Sequence, residues 1–220
     1  SLPAGGDDRV AAARAALSRI YERWRAEQPL APGQAISYNL IAGRGGSLAH
    51  CPQDGLVALV MLDALQPVGL ARLVLDWGSL WPQLGALAAI APLAASQVFN
   101  RDGLRDLGMA LCAFGDLRPG DRALRVLVES PSRGSQALEV AFGDIISLPL
   151  PPDETATVKV WPHPRLDLGL GEPGLPVQAQ VQGGTLGLII DARGRPLKLA
   201  VNDHERASGQ RQWIKSLCSL

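Results

Sequence analysis

The chain has 220 residues, 47% of them hydrophobic and 19% charged, and its 21 Lys and Arg balance 21 Asp and Glu. That length accommodates one large domain or two small ones around a true hydrophobic core. Zero net charge excludes the broad basic field of a nucleic-acid binder, so partners must be read from local features.

Three cysteines, Cys51, Cys112 and Cys218, are too few and too scattered for a disulfide framework and point to a reducing, cytoplasmic setting. Residues 1–9 are polar and Gly-rich, unlike a secretory signal, and a Ser-Leu start without Met suggests an excised fragment.

Taken in chain order, residues 7–28 predict a helix. Val10, Ala13, Leu17, Ile20 and Trp24 recur at steps of three and four and share one face. Asp7 and Asp8 suit its N-terminus, where the dipole favours negative charge, and Pro29 stops it. The stripe packs on its own domain or pairs with a segment outside the chain. Ala35 to Gly43 ("AISYNLIAG") reads as a strand, and Gln53 to Leu65 as a helix broken by Pro67 and Gly69. Ala71 to Asp76 reads as a second strand. A helix from Pro82 to Ile90 follows, with proline at a first-turn position that lacks an N–H partner anyway. Strand and helix alternating over short connections predict a parallel α/β layer up to about residue 116.

Between Asp76 and Arg101 there is no charge. Two prolines, two glycines and much alanine make that window too weakly apolar for a membrane span, so buried helices and loops are expected.

Beyond residue 117 the period changes to two. Leu124, Val126 and Val128, then Leu138, Val140 and Phe142, then Ala156, Val158 and Val160, and finally Val177, Ala179 and Val181 each alternate with other residues. With Pro- and Gly-rich breaks between them, these runs predict antiparallel strands in a barrel or sandwich over 117–220. "GTLGLIIDARGRPLKL" reads as a hairpin with Arg193 and Arg195 on its exposed turn. A last helix is expected from Asn202, capped with the help of Glu205, through Trp213 to about Leu217.

The chemistry-bearing candidates are few. Gly43-Arg44-Gly45-Gly46 lies between a strand and a helix, where glycines either form a tight turn or let backbone approach a ligand. Its spacing fits neither the dinucleotide fingerprint nor the phosphate loop. Asp76 closes a strand, where a carboxylate can meet a ribose hydroxyl or cap the next turn. Asp63 and Asp191 have equally bland readings. His50 and Cys51 are adjacent, but no second ligand pair stands at metal spacing, and no metal or nucleophile pair is expected.

Several segments, taken together, resemble one family. "GGSLAHCPQDGLVALVMLDALQPVGLARLVLD", "LGALAAIAPLAASQV", "GGTLGLIIDARGRPL" and "RQWIKSL" are similar, from about residue 36 onward, to the C-terminal portion of MutL/GlmL-type glutamate (methylaspartate) mutase accessory proteins. The resemblance implies part of an actin-like ATPase lobe and a reactivating chaperone for an adenosylcobalamin-dependent mutase. It implies ATP with magnesium as the parent protein's ligand. The missing N-terminal lobe and the mutase would be its partners, with no nucleic acid or membrane. Gly43, Gly45 and Gly46 would face the adenosine, with Asp76 nearby, and the β-rich part would serve as a docking module. The chain departs from the superfamily in lacking an Asp-x-Gly-Thr-Thr phosphate loop, and in carrying Arg44 where a small residue is expected. Alone it would therefore be catalytically inactive. The alternative is a non-enzymatic scaffold that binds another protein.

Overall fold

A computed structural model describes residues 8–28, 36–200 and 202–218. Asp7, Pro29 and Ala35, used above to bound the first helix and strand, lie outside the described residues. The fold is mixed α/β, with two sheets and a C-terminal helix.

The first layer is a five-stranded mixed sheet in the order β1 (Leu40–Gly43), β2 (Gly69–Leu75), β3 (Arg105–Cys112), β9 (Leu188–Asp191), β6 (Ile145–Leu148). β1 and β2 are parallel, as the strand–helix–strand pattern predicts, with Gly43 opposite Leu75. Their connection runs through α2 (Gly46–Ala49) and α3 (Asp54–Leu65). β3 is antiparallel to β2 and parallel to β9, and β6 closes the sheet antiparallel to β9.

α3 explains the helical layer. Every residue from Gly55 to Ala64 is buried, so this helix has no solvent face and must be covered on all sides. The sheet supplies one wall, while α1 (Asp8–Ala26) and α6 (Asp203–Cys218) pack on others. Gly55 permits the contact with α6, because the Leu217 carbonyl occupies the space a Cβ would need. α6 starts as expected, with the Asn202 side chain accepting from the His204 N–H at 2.9 Å.

The other face of β3, β9 and β6 is covered by a second, four-stranded antiparallel sheet. Its order is β5 (Gly134–Ala141), β4 (Arg122–Ser130), β7 (Thr155–Pro162), β8 (Val177–Gln182). The period-two reading holds here: Leu124, Val126 and Val128 are buried while Arg125 is exposed, and Ala156, Val158 and Val160 point inward beside them. Leu111, Leu188 and Ile190 of the first sheet complete this second core. The strands form no closed barrel. The result is two stacked sheets with helices outside one of them.

Two further features differ from the sequence reading. β6 and β9 lie beyond residue 116, yet join the sheet begun by β1 to β3, so residue 116 marks a change of period and both sides of it share one sheet. The expected hairpin after β9 does not form. Both edges of β9 are already taken by β3 and β6, leaving no edge for a returning strand.

The uncharged window forms two short helices, α4 (Trp81–Ala88) and α5 (Pro92–Asp102), packed on each other. Leu84 and Ala95 are buried between them, while Ile90 and Leu93 stand 86% and 72% exposed. The buried-helix expectation is thus met only on the inner faces of this pair. No described helix is long and apolar enough to cross a membrane.

Candidate functional site

The sequence candidates converge at the carboxyl ends of β1 and β2. In open α/β sheets this is where ligands bind, because loops leave the strands there and backbone amides become available. Gly43 ends β1, and its carbonyl accepts from the Asp76 N–H at 3.0 Å, so the glycine loop and Asp76 are adjoining parts of one rim.

The three glycines do different work. Gly43 is buried, and a Cβ there would press on Met61 Sδ at 3.2 Å, with Leu48 and Leu75 close behind. It is a packing glycine. Gly45 has φ +110°, outside the range that L side chains favour, and no atom beyond its chain neighbours lies within 4 Å of its Cβ position. Gly46 opens α2 with ordinary φ, and its nearest neighbour is His50 Nδ1 at 3.8 Å. Only Gly45 and Gly46 therefore present open backbone to solvent.

Asp76 is completely buried. Its Oδ1 accepts from the Leu80 N–H at 2.8 Å and its Oδ2 from the Trp81 N–H at 3.3 Å, which ties the carboxylate to the start of α4. Arg44 Nε stands 3.6 Å from the same Oδ2. The long cation of the loop is thus drawn toward Asp76, and no Arg44 atom comes within 4 Å of the Gly46 Cβ position. Asp76 positions Arg44 and α4; its oxygens are not directed at an open surface.

Beside this rim stands a second group that sequence reading missed. Arg105, opposite Leu75 at the start of β3, lies over the Trp77 ring at 5.2 Å and donates to Asp54 Oδ1 at 2.9 Å. Thr185 Oγ1 donates to Asp54 Oδ2 at 3.0 Å. Trp77 is 44% exposed, with the Arg105 guanidinium over its ring. The sequence signal was available in Trp77 following directly on Asp76, but its link to Arg105 depends on strand pairing.

At the opposite end of the sheet lies a buried ionic network. Arg193 donates to Asp191 through Nε (2.9 Å) and Nη2 (2.8 Å), and to Asp63 through Nη1 (2.7 Å). Arg195 Nη2 reaches Asp191 Oδ2 at 2.5 Å, and Arg14 Nη2 reaches Asp63 Oδ2 at 2.7 Å. Arg193 also lies 4.7 Å from the Trp213 ring centroid. Both arginines are therefore buried, contrary to the exposed turn expected for them, because two buried carboxylates require cations. Burial works to raise the Asp191 carboxyl, but the Arg193 and Arg195 guanidiniums outweigh it and hold the group well below the usual carboxylate range. Cys112 is pushed up to about 12 by burial, with the Asp191 charge adding to it. These contacts make the network a tie between α1, α3, β9 and α6, with Arg195 Nε buried and without a hydrogen-bond partner among the described residues.

His50 and Cys51 do not converge on a ligand position. His50 Nδ1 lies 2.9 Å from the Gly46 carbonyl, and Cys51 Sγ donates to the Gln53 carbonyl at 3.5 Å. Among the described residues, no group of three or more His, Cys, Asp or Glu is arranged to hold a metal ion.

Gly45 and Gly46 thus form the exposed part of the loop at the carboxyl ends of β1 and β2. No protein-family model, no curated protein and no solved structure matches the chain.

Proposed function

We propose that this chain is the adenosine-side part of an actin-like ATPase lobe, within a reactivating chaperone of the MutL/GlmL type for an adenosylcobalamin-dependent mutase. The observation that carries the reading is the open Gly45-Gly46 backbone at the carboxyl ends of two adjacent parallel strands. Gly45 with no neighbour at its Cβ position, and Gly46 with only the edge of His50 there, leave room for a ring to lie against backbone, which a side chain at either position would occupy. Arg44 does not block this approach, because its guanidinium is held toward Asp76. Gly45 and Gly46 contact the adenosine; Gly43 and Asp76 shape the loop from behind. ATP with magnesium is the parent protein's ligand, and the phosphate side of the site belongs to another lobe, so this chain alone does not hydrolyse ATP.

A specific observation also favours the scaffold reading: the α4–α5 pair exposes Ile90 and Leu93 on an uncharged surface of the kind used for protein contact. The two readings separate at Gly46, whose φ is ordinary and whose Cβ position meets only His50 Nδ1 at an ordinary contact distance of 3.8 Å, so that Gly46→Trp fills the loop without forcing the backbone. Titration with a fluorescent ribose-modified ADP is expected to saturate and to be displaced by ADP, and both are expected to vanish in Gly46→Trp. Unchanged titration in a folded Gly46→Trp variant removes the loop from the site and leaves the scaffold.

A further inference from the structure

A cleft of about 470 Å³ opens between α6, the loops that flank β4 and β5, and the segment after β9. It is remote from the glycine loop, lies on the network side of the sheet, and is independent of the nucleotide reading. Its volume falls within the usual range of small-molecule sites. Leu117, Phe142, Leu199 and Trp213 supply apolar walls. The Trp213 ring is fixed in place, since its Nε1 donates to the Gly143 carbonyl at 2.8 Å and Arg193 lies over its ring.

Gly209 singles this cleft out. It lies in the interior of α6, where glycine costs about 1 kcal/mol relative to alanine. Packing does not require it: the only atom near its Cβ position is Trp213 Cζ2 at 3.9 Å, and its φ is not in the left-handed region. It lines the cleft. The absent side chain leaves the cleft open at the cost of helix stability.

The charges decide what the cleft takes. Each cation lining it already has a carboxylate: Lys198 Nζ is 2.6 Å from Asp116, Arg206 is paired with Asp203, and Arg193 is held by Asp63 and Asp191. Two lining acids have no cation among the described residues. The Asp144 carboxylate accepts from Gln212 Nε2 alone among the described residues, at 3.2 Å, and burial raises its pKa; Glu205 forms no ion pair with a described residue. The unmet requirement is positive charge beside an apolar wall.

We propose that this cleft is a binding site for a small amphipathic cation, a flat or branched apolar body carrying a protonated amine or guanidinium. The body packs between Phe142 and Trp213, and the cation meets Asp144 and Glu205.

Calorimetric titration with three probes tests this. Tryptamine carries both features, indole-3-acetate reverses the charge, and ethanolamine lacks the body. Tryptamine is expected to bind saturably and at least about tenfold more tightly than either of the others, a difference of about 1.4 kcal/mol. Gly209→Phe, which fills the cleft, is expected to abolish binding, whereas Gly209→Ala is expected to retain binding and to raise the unfolding midpoint. Should Gly209→Phe fail to fold, Asp144→Asn combined with Glu205→Gln serves instead and is expected to weaken tryptamine about tenfold without weakening the fold. Equal binding of indole-3-acetate, or no saturation by tryptamine at millimolar concentration, overturns the proposal. A capped Trp-Arg dipeptide distinguishes the source: if it binds and tryptamine does not, the cleft belongs to a protein segment and the small-ligand assignment fails.

Discussion

Asp191 is a single carboxylate that holds two guanidiniums in a fully buried setting, and its neighbour Arg193 reaches across to Asp63 on α3. A buried ion group of this kind contributes little over a well-packed apolar core, but removing one partner strands the others at a cost of about 3–5 kcal/mol. Protonation is the mildest way to remove a partner. The folded state holds the Asp191 carboxyl below its unfolded value of about 3.9. Its stabilising contribution is therefore complete above that unfolded value and is lost as the pH falls through and below it. Asp144, whose carboxyl burial raises, contributes with the opposite sign. Urea midpoints measured from neutral pH downward are expected to decline below about pH 4, where the Asp191 carboxyl takes up a proton in the unfolded chain while the folded state still holds it ionised. A midpoint that stays level or rises to pH 3 on this reckoning contradicts the assigned role. At this scale the sequence was half legible. Asp63 stands alone in the apolar run "GLVALVMLDAL", and a buried acid demands a cation. Nothing in the sequence says that the cation comes from residue 193, because that pairing spans 130 positions and depends on where β9 ends.

At the scale of elements, the close approach of β3 to the segment before β9 depends on bare backbone. A Cβ on Gly108 would overlap the Gly187 carbonyl, and one on Gly184 would overlap the Gly108 backbone. Gly108 also has φ +113°, so alanine there meets both a clash and an unfavourable dihedral. Gly108→Ala is expected to lower stability by about 3 kcal/mol or more, whereas Gly120→Ala, with positive φ but open space, is expected to cost about 1–2 kcal/mol. Similar losses at the two sites in denaturant unfolding would mean that the crossing has room to relax. The long, strongly periodic elements were readable. The strands of the four-stranded sheet follow directly from a 2-residue period that places apolar groups on one face. α1 forms as expected, but its buried face differs from the expected stripe: Val10 and Tyr21 are buried while Ile20 and Trp24 are exposed. α3 was readable as an apolar run and is buried on every side, and α6 was readable from its cap. β3 and β6 were not identified. β3 is interrupted by Gly108, and β6 is only four residues long, too short for any period to show.

For the whole molecule, the decisive fact is that β6 and β9 return to the sheet that β1 to β3 begin. The period change near residue 116 is real, but strand pairing across it cannot be seen in a pattern that reports only local spacing. Residues 1–116 alone would leave β3 with an unpaired edge and Leu111 and Ala113 without their cover. A chain ended at residue 116 is therefore expected to lack dispersed amide resonances and to aggregate, and to recover them when refolded with residues 117–220. Dispersed spectra from the first half alone would show two independent folding units.

The glycine rim was legible as a setting and not as a set of equal contacts. Strand, glycines and helix indicated the carboxyl end of a parallel pair, while only packing separates inward Gly43 and capped Asp76 from open Gly45 and Gly46. The most direct test of the account is photolabelling with an azido-adenine analogue of ADP, followed by peptide mapping. Label is expected on the stretch from Gly45 to His50 or on Trp77, and excess ADP is expected to suppress it. Label confined to other segments, or label that ADP does not displace, would contradict an adenosine site at this loop.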